Sequence, residues 1–362
     1  MAKKTDGISL VRHSTIYDVA KEAKVSPATV SHVLNGTAPI SVPTQKRVFK
    51  AVRELDYRPN ANARSLRASK SQILGVIVQD IASEYYAQCT AGILQRAQQE
   101  DFVVLTTDIH FCPDILHKSV KALVDRRVDG LLFVGGSRDQ ESIGMAASAG
   151  VPIVIGDRHL DGYPCAEFNN DETMYGLTRA LLAAGHRRFA YMGEPPDRQQ
   201  NLERRFGGVI RALDEAGVPE EDRTIILHPM MYPAKMKTAY QIFQQLIRET
   251  PRQKLPEIVL TSNDMIAQSV ISVALRSGLR VPDDIAVFGF DNISISIYCT
   301  PSISTVVQDP FLLGTTLFDM LLERIQSGEG KNVVLPQEIA VRSSAPVRQD
   351  LLRAQGLRVY QD

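Results

Sequence analysis

Three apolar runs end in a side chain able to hold a polar ligand: "VIGD" delivers Asp157, "VLTSN" delivers Asn263 and "VFGFD" delivers Asp291. In open α/β sheets the carboxyl ends of strands border the ligand crevice. Carboxylates and amides there can accept from and donate to hydroxyls, while an aromatic ring covers an apolar face. Taken singly, each also reads as a plain helix cap, the role expected of the neighbouring Asp264. No nucleophile–base set accompanies them. His110, His117, His159 and His186 are dispersed without metal-ligand spacing. Cys89, Cys112, Cys165 and Cys299 form no CxxC pair, so neither a zinc site nor a disulfide framework is expected, and scattered free thiols fit a reducing cytoplasm. "RRVDGLLFVGGS" has a glycine pair but no GxGxxG, which argues against a dinucleotide. The expectation is binding without turnover: no catalytic residue, no metal and no cofactor.

A second kind of chemistry sits near the start, in "TIYDVAKEAKVSPATVSHVLNG". Ile16, Val19, Ala20 and Ala23 share one helical face. Ser26 is placed to cap a second helix with Pro27 at its first position, where a missing N–H costs nothing. Gly36 and Pro39 end that helix. Thr44 is expected to cap a third, striped by Val48, Val52 and Leu55. Helix, short turn around Val25, helix is the spacing of a helix-turn-helix, whose second helix presents its first residues to base edges. Here those residues are Ser26, Pro27, Ala28, Thr29, Ser31 and His32. Serine and threonine bond bases or phosphates, Ala28 suits a thymine methyl, and His32 can donate to guanine. Periodicity alone leaves a plain capped helical hairpin equally open.

Charge separates these two regions. The chain has 362 residues and no net charge, but residues 1–72 hold 13 Lys/Arg against 5 Asp/Glu, and the remainder 28 against 36. A basic end on an acidic body suits a polyanion-binding module on a carrier that is not one. The opening "MAKKTDGISLVRHST" has no apolar run to make a signal peptide, and no stretch is long and apolar enough for a membrane span. From residue 73 apolar strands alternate with helices, in two successive blocks of similar design. Strands that are apolar throughout read as parallel and covered on both faces. The expected fold is a head of three small helices, a polar basic linker that could turn helical, then an α/β body of two doubly wound parallel-sheet subdomains with a cleft between them.

The run from Thr15 to Val78, with "DVA", "VSPATVSHVLN" and "ELDYRPNANARSL", resembles the LacI/GalR family of bacterial repressors. So do "AGHRRFAYMG", "RRFGG", "TSND", "VPDDIAVFGFD" and "ISTVVQD", so the resemblance covers nearly the whole chain. It implies an arm over 1–14, a three-helix helix-turn-helix DNA-binding head over 15–58, a hinge helix or linker over 59–72 and an effector-binding and dimerisation domain over 73–350. Within that domain one subdomain takes about 73–168 and 308–336, the other about 169–307 and 337–350, leaving 351–362 as a tail. Pro27, Ala28 and His32 stand where the family varies with its operator. Pro27 departs from the polar or aromatic residues often found there, which shifts base reading toward His32 and methyl contacts. Thr15, Tyr17, Ser26, Thr29, Ser31, Asn35 and Ser41 are implied as phosphate contacts that fix register. Leu66 matches the hinge residue that wedges into the minor groove, beside Asn60, Ala63 and Arg64.

The body resembles periplasmic sugar-binding proteins. Asp157, Arg205, Asn263, Asp291 and Gln308 match the family's cleft ligands, Arg158 also fits, and Tyr85, Tyr86 and Tyr232 are candidate aromatic faces. Ser83-Glu84 replaces a common Asn-Pro, and Asn169-Asn170 with Thr173 replaces Asp-Asn followed by Gly; both bear on ligand identity. The implied protein is a cytoplasmic regulator, usually a repressor. It would bind near-palindromic double-stranded operator DNA as a homodimer under control of a small molecule, a sugar or sugar derivative. The end "QDLLRAQGLRVYQD" has too few heptads for a coiled coil, which favours dimer over tetramer. The competing readings are a purine or other metabolite as effector, a solute-binding protein without a DNA role, and an enzyme on the same sheet topology.

Overall fold

The structure is a computed structural model that describes residues 14–57, 71–135, 140–231 and 233–361. It divides into two compact units, residues 1–71 and 72–362. The hinge residues Asn60, Ala63, Arg64 and Leu66 and the cleft candidate Tyr232 lie outside the described residues.

The described part of the first unit is three helices: α1 (Ile16–Ala23), α2 (Pro27–Asn35) and α3 (Val42–Glu54). Thr15 caps α1 in a reciprocal box with Asp18. Ser26 caps α2 by accepting from the Thr29 N–H, Pro27 opens it, and Gly36 closes it in the left-handed conformation. The third helix starts earlier than expected. Ser41 holds the N-cap position and Pro43 occupies the first turn, so Thr44 is already helical and accepts from the Ser41 hydroxyl. Val19, Ala20, Ala23, Val30, Val33, Val48 and Ala51 close a core of small side chains. So small a core holds only because aliphatic side chains on all three helices share it.

The second unit alternates strand and helix. Strands β1 (Ile73–Val78), β2 (Val103–Asp108), β3 (Gly130–Val134), β4 (Ile153–Gly156) and β5 (Cys165–Phe168) alternate with α4 (Glu84–Gln99), α5 (Pro113–Asp125) and α6 (Gln140–Ser148). The chain then crosses to α7 (Asn170–Ala183), β6 (Phe189–Gly193), α8 (Gln200–Glu215), β7 (Arg223–Leu227), α9 (Lys235–Glu249), β8 (Ile258–Thr261), α10 (Asp264–Arg276), β9 (Ala286–Asp291), α11 (Ser294–Tyr298) and β10 (Ser304–Val307). It returns for α12 (Pro310–Ser327) and β11 (Val333–Leu335), and crosses again to β12 (Glu338–Ala340), α13 (Gln349–Ala354) and β13 (Arg358–Val359). The first sheet is wholly parallel, in the order β11-β5-β4-β3-β1-β2. The second runs β13-β12-β10-β9-β8-β6-β7, with β12 antiparallel to β10. Three chain crossings therefore join two lobes. The residues from 351, expected as a tail, include the end of α13 and the edge strand β13.

Each sheet is covered by helices, as its apolar strands require. The edge strand β2 is the exception: its side chains are half-exposed, and Val103 is largely open to solvent. Helices α4 and α12 meet backbone to backbone. A Cβ on Gly92 would stand 2.3 Å from the Phe311 carbonyl oxygen, and one on Gly314 2.0 Å from that of Cys89. Glycine at both positions lets the returning helix seat against the first lobe, with Leu313, Leu317, Phe318 and Leu321 buried in its core.

Candidate functional site

Between the lobes lies a cleft of about 860 Å³, counted to its open mouth. From the first lobe come Ser83, Tyr85, Tyr86, Phe111 and Asp157; from the second come Glu194, Asn201, Arg205, Lys235, Asn263 and Asp291, with Met230, Met231, Met265 and Ile293 as apolar wall. Asp157 and Asp291 both have positive φ, 61° and 100°. Non-glycine residues rarely adopt such backbone, and it costs free energy that sites retain for positioning. Here it turns each carboxylate out of its strand end into the cleft.

Arg205 is the buried centre. Its Nη1 donates to the Ser262 carbonyl at 2.7 Å and its Nε to Asn170 Oδ1 at 3.2 Å, while Nη2 lies 3.4 Å from Asp291 Oδ1. The guanidinium stacks 3.7 Å from the centroid of the Phe290 ring. From Asp291 the bonding continues outward. Gln308 donates to Asp291 Oδ1 at 3.0 Å, and Gln337 donates to Gln308 Oε1 at 3.2 Å and to Asn170 Oδ1 at 3.3 Å. Thr173 then donates to Gln337 Oε1 at 2.7 Å. Arg205, Asn170, Gln337, Gln308 and Asp291 thus form a ring, and its three amides stand at the three crossings between the lobes.

Burial and neighbours set the protonation chemistry. Burial pushes the Asp157 carboxyl up to about 7; Arg205 opposes the shift and the Asp291 charge adds to it. Burial also raises Asp291, against Arg205 and the Gln308 hydrogen bond. Glu194 goes the other way. Burial alone would raise it, but Lys235 at 2.8 Å and the Ser262 hydroxyl at 2.5 Å hold it below the ordinary carboxylate range. Lys235 is raised in return, Glu194 outweighing the burial that would lower it. Asn201 donates to Asp157 Oδ2 across the cleft at 2.8 Å. The Tyr85 hydroxyl lies close enough to favour the charged form of Asp157, yet neither it nor Asp157 Oδ1 has a partner in hydrogen-bond geometry.

Further pairs hold the lobes together. Glu84 Oε1, at the start of α4, accepts from the Ser294 N–H at 3.0 Å and its hydroxyl at 2.6 Å. Glu167 of β5 takes Arg204 of α8 at 2.5 Å, and Gln200 accepts from the His159 N–H at 2.7 Å.

Six of the residues expected in the cleft line it: Tyr85, Tyr86, Asp157, Arg205, Asn263 and Asp291. Gln308 stands behind Asp291 as its hydrogen-bond donor. Arg158 is buried and is not part of the lining. Asn263 is also a helix cap, accepting from the Ile266 N–H, whereas Asp264, expected to cap, is buried and takes the Thr305 hydroxyl and the Ile293 N–H. Glu194 follows β6 directly, and the strand-end rule that picks out Asp157 and Asp291 applies to it equally. Lys235 and Gln337 carry no such signal: one opens a helix, the other sits in a short link.

On the head, Thr15, Tyr17, Ser26, Ala28, His32, Asn35 and Ser41 are exposed, and Pro27, Thr29 and Ser31 partly so. The α2 residues alternate with Val30 and Val33, which turn into the core. Several polar groups are pre-set by local bonds: Ser26 with Thr29 at 2.8 Å, Asn35 to Ser31 at 3.2 Å and His32 Nδ1 with Thr37 at 2.9 Å. No acidic side chain occupies the first turn of α2. Lys21, Lys24, Lys46, Arg47, Lys50 and Arg53 are all exposed on the same small unit, a basic surface suited to phosphates.

A basic helix-turn-helix unit and a two-lobed ligand-binding unit on one chain define a ligand-responsive DNA-binding regulator. Residues 15–60 match the model of bacterial regulatory proteins of the lacI family, and residues 178–345 match a periplasmic binding protein-like domain. Catabolite control protein A of Priestia megaterium is 28% identical over 91% of this chain and 98% of its own. The HTH-type transcriptional repressor PurR of Aliivibrio fischeri MJ11 is 31% identical over 91% and 98%. Among solved structures, the lac repressor dimer bound to operator and the anti-inducer ONPF matches with a TM-score of 0.78 at 28% identity, over 93% of this chain and 100% of that one. The regulator CelR in complex with cellobiose matches at 0.65 and 26%, over 92% and 100%. The chain belongs to the lacI family of bacterial regulatory proteins. It is a DNA-binding transcriptional regulator with an effector-binding body. Among the described residues no helix is long and apolar enough to cross a membrane, and no cluster of acidic, His or Cys side chains is placed to hold a metal.

Proposed function

We propose that this protein is a homodimeric repressor that releases or grips a near-palindromic operator according to the occupancy of its cleft, and that the occupant is a sugar or sugar derivative. The carrying observation is the cleft itself: carboxylates and an amide at strand ends, with a buried arginine and a second amide from helix α8, alongside two tyrosines. Those are the donors and acceptors hydroxyls need. A ligand biases the two lobe arrangements only through its different affinity for each. The relatives named PurR favour a purine as the second reading. Either reading is one of binding without turnover: Glu194 and Asp291 are engaged by Lys235 and Arg205, and among the described residues the cleft joins no histidine to a serine or cysteine.

The test is a duplex selected from random sequence by the purified protein, followed by fluorescence anisotropy with a panel of sugars and nucleobases. A palindromic selected sequence whose affinity shifts with one sugar supports the whole reading. A shift with a nucleobase alone replaces the effector, and a tetramer mass in light scattering removes the dimer.

A further inference from the structure

Three carboxylates line the cleft, and two of them meet a cation. Glu194 pairs with Lys235 at 2.8 Å, and Asp291 with Arg205 at 3.4 Å. Asp157, 1% exposed, receives the Asn201 amide on Oδ2, while its Oδ1 has no hydrogen-bond partner. The Tyr85 hydroxyl beside it is likewise without one. The rings of Tyr85 and Tyr86 stand edge to face, 5.3 Å between centroids, in the same corner. The lining residues therefore leave one carboxylate without an ion-pair partner, beside two electron-rich rings.

A buried acceptor left open is costly, and an anionic one more so. The Tyr85 hydroxyl lies close enough to favour the charged form of Asp157 but not in hydrogen-bond geometry, so a ligand that brings a donor to Asp157 Oδ1 relieves this cost. A hydroxyl supplies the hydrogen bond but not the charge. An ammonium supplies both, and aromatic rings attract it further. A phosphorylated metabolite would add negative charge to a lining that already has three acids against two cations. We infer that the ligand is an amine-bearing polyol, an amino sugar bound as its ammonium form, with its nitrogen on Asp157 Oδ1 and its hydroxyls toward Asp291, Arg205 and Asn263. This rests on the cleft being the effector site. A charge-assisted hydrogen bond to the ammonium favours the ionised carboxyl, whose position is already set by Asn201. Burial drives the Asp157 carboxyl up to about 7 even though Arg205 opposes the shift.

The test is calorimetric titration of the full-length protein near neutral pH with glucosamine, galactosamine and mannosamine, each against its parent sugar and its neutral N-acetyl derivative. The expected result is one amino sugar binding at least about tenfold tighter than both neutral counterparts, with that preference abolished in Asp157→Asn. The wild-type ratios decide the matter even if the variant does not fold. A parent or N-acetyl sugar that binds as tightly as the amine overturns the inference and leaves the sugar cleft standing. A selected operator with no sugar of any kind bound overturns both.

Discussion

The side-chain amide of Gln337 donates to two acceptors at once, Asn170 Oδ1 at 3.3 Å and Gln308 Oε1 at 3.2 Å. Asn170, Gln308 and Gln337 stand at three different crossings between the lobes, so one amide ties the three together. Asn170 and Gln308 are buried, and their other bonds run to Arg205 and Asp291 in the cleft. Gln337→Leu preserves bulk but strands Gln308 Oε1 and the Thr173 hydroxyl, and leaves Asn170 Oδ1 with Arg205 alone. Leaving buried polar groups unpaired costs about 1–3 kcal/mol. Urea unfolding should show a loss of that order, together with weaker binding of whatever ligand the cleft accepts. A variant as stable as the parent would show that the ring is incidental.

Glu84 joins the mouth of the cleft to the opposite lobe through both the N–H and the hydroxyl of Ser294. The site is partly open to solvent, so the pair contributes modestly, about 0.5–1.5 kcal/mol. That is enough to shift a balance between lobe arrangements several-fold. Glu84→Ala should raise the radius of gyration seen by small-angle scattering of the ligand-free protein. Ser294→Ala, which keeps the N–H bond, should raise it less. Identical scattering for all three proteins would deny the contact any part in closing the cleft.

The Asp157 carboxyl titrates near 7 in the folded protein, mainly because it is buried, and near the ordinary carboxylate value once unfolded. Between those two values the native state holds the extra proton. Stability contributed by this group is therefore full below about pH 4 and is lost as pH rises through about 7. Asp291 and Asp264, also raised by burial, act in the same direction. Asp157→Asn removes the penalty. The variant should match the parent near pH 4 and exceed it above pH 7, by up to a few kcal/mol, because each tenfold difference in proton affinity between the two states is worth about 1.4 kcal/mol. Unfolding curves at the two pH values measure this. A difference that does not change with pH would mean that Asp157 is not the group that titrates.

The lobes are legible because parallel strands covered on both faces have to be apolar throughout, and "ILGVIV" and "DGLLFVG" are nothing else. Strand ends point to Asp157, Asn263 and Asp291 for the same reason. Glu194 obeys the same rule yet is harder to see, since "FAYMGE" looks like a strand running into a polar loop. Lys235 reaches the cleft from the first turn of α9, and Gln337, in a short link between strands of different sheets, stands behind it against Asn170 and Gln308; their roles depend on tertiary placement, which periodicity does not encode. The cap of α3 falls at Ser41 and not at Thr44, where the sequence also offers a good cap. Pro43 decides between them: it belongs in a first turn, and only the earlier cap puts it there.

His32 and Tyr17 are both exposed on the head but should fail differently when removed. His32 lies on α2, the helix expected to enter the groove, its ring steadied by Thr37 at 2.9 Å. A side chain that reads a base edge is worth about 1–3 kcal/mol at one position of the site. Tyr17, in the first turn of α1, is expected to contact phosphate, where a contact fixes register without reading sequence. His32→Ala should therefore flatten the preference at one symmetric base pair of the selected operator and leave the others intact. Tyr17→Ala should weaken every variant of the operator by a similar factor. The measurement is anisotropy against the operator and its set of single-base substitutions. If His32→Ala weakens all of them alike, His32 is a backbone contact, and base reading in α2 falls to Ala28 and its neighbours.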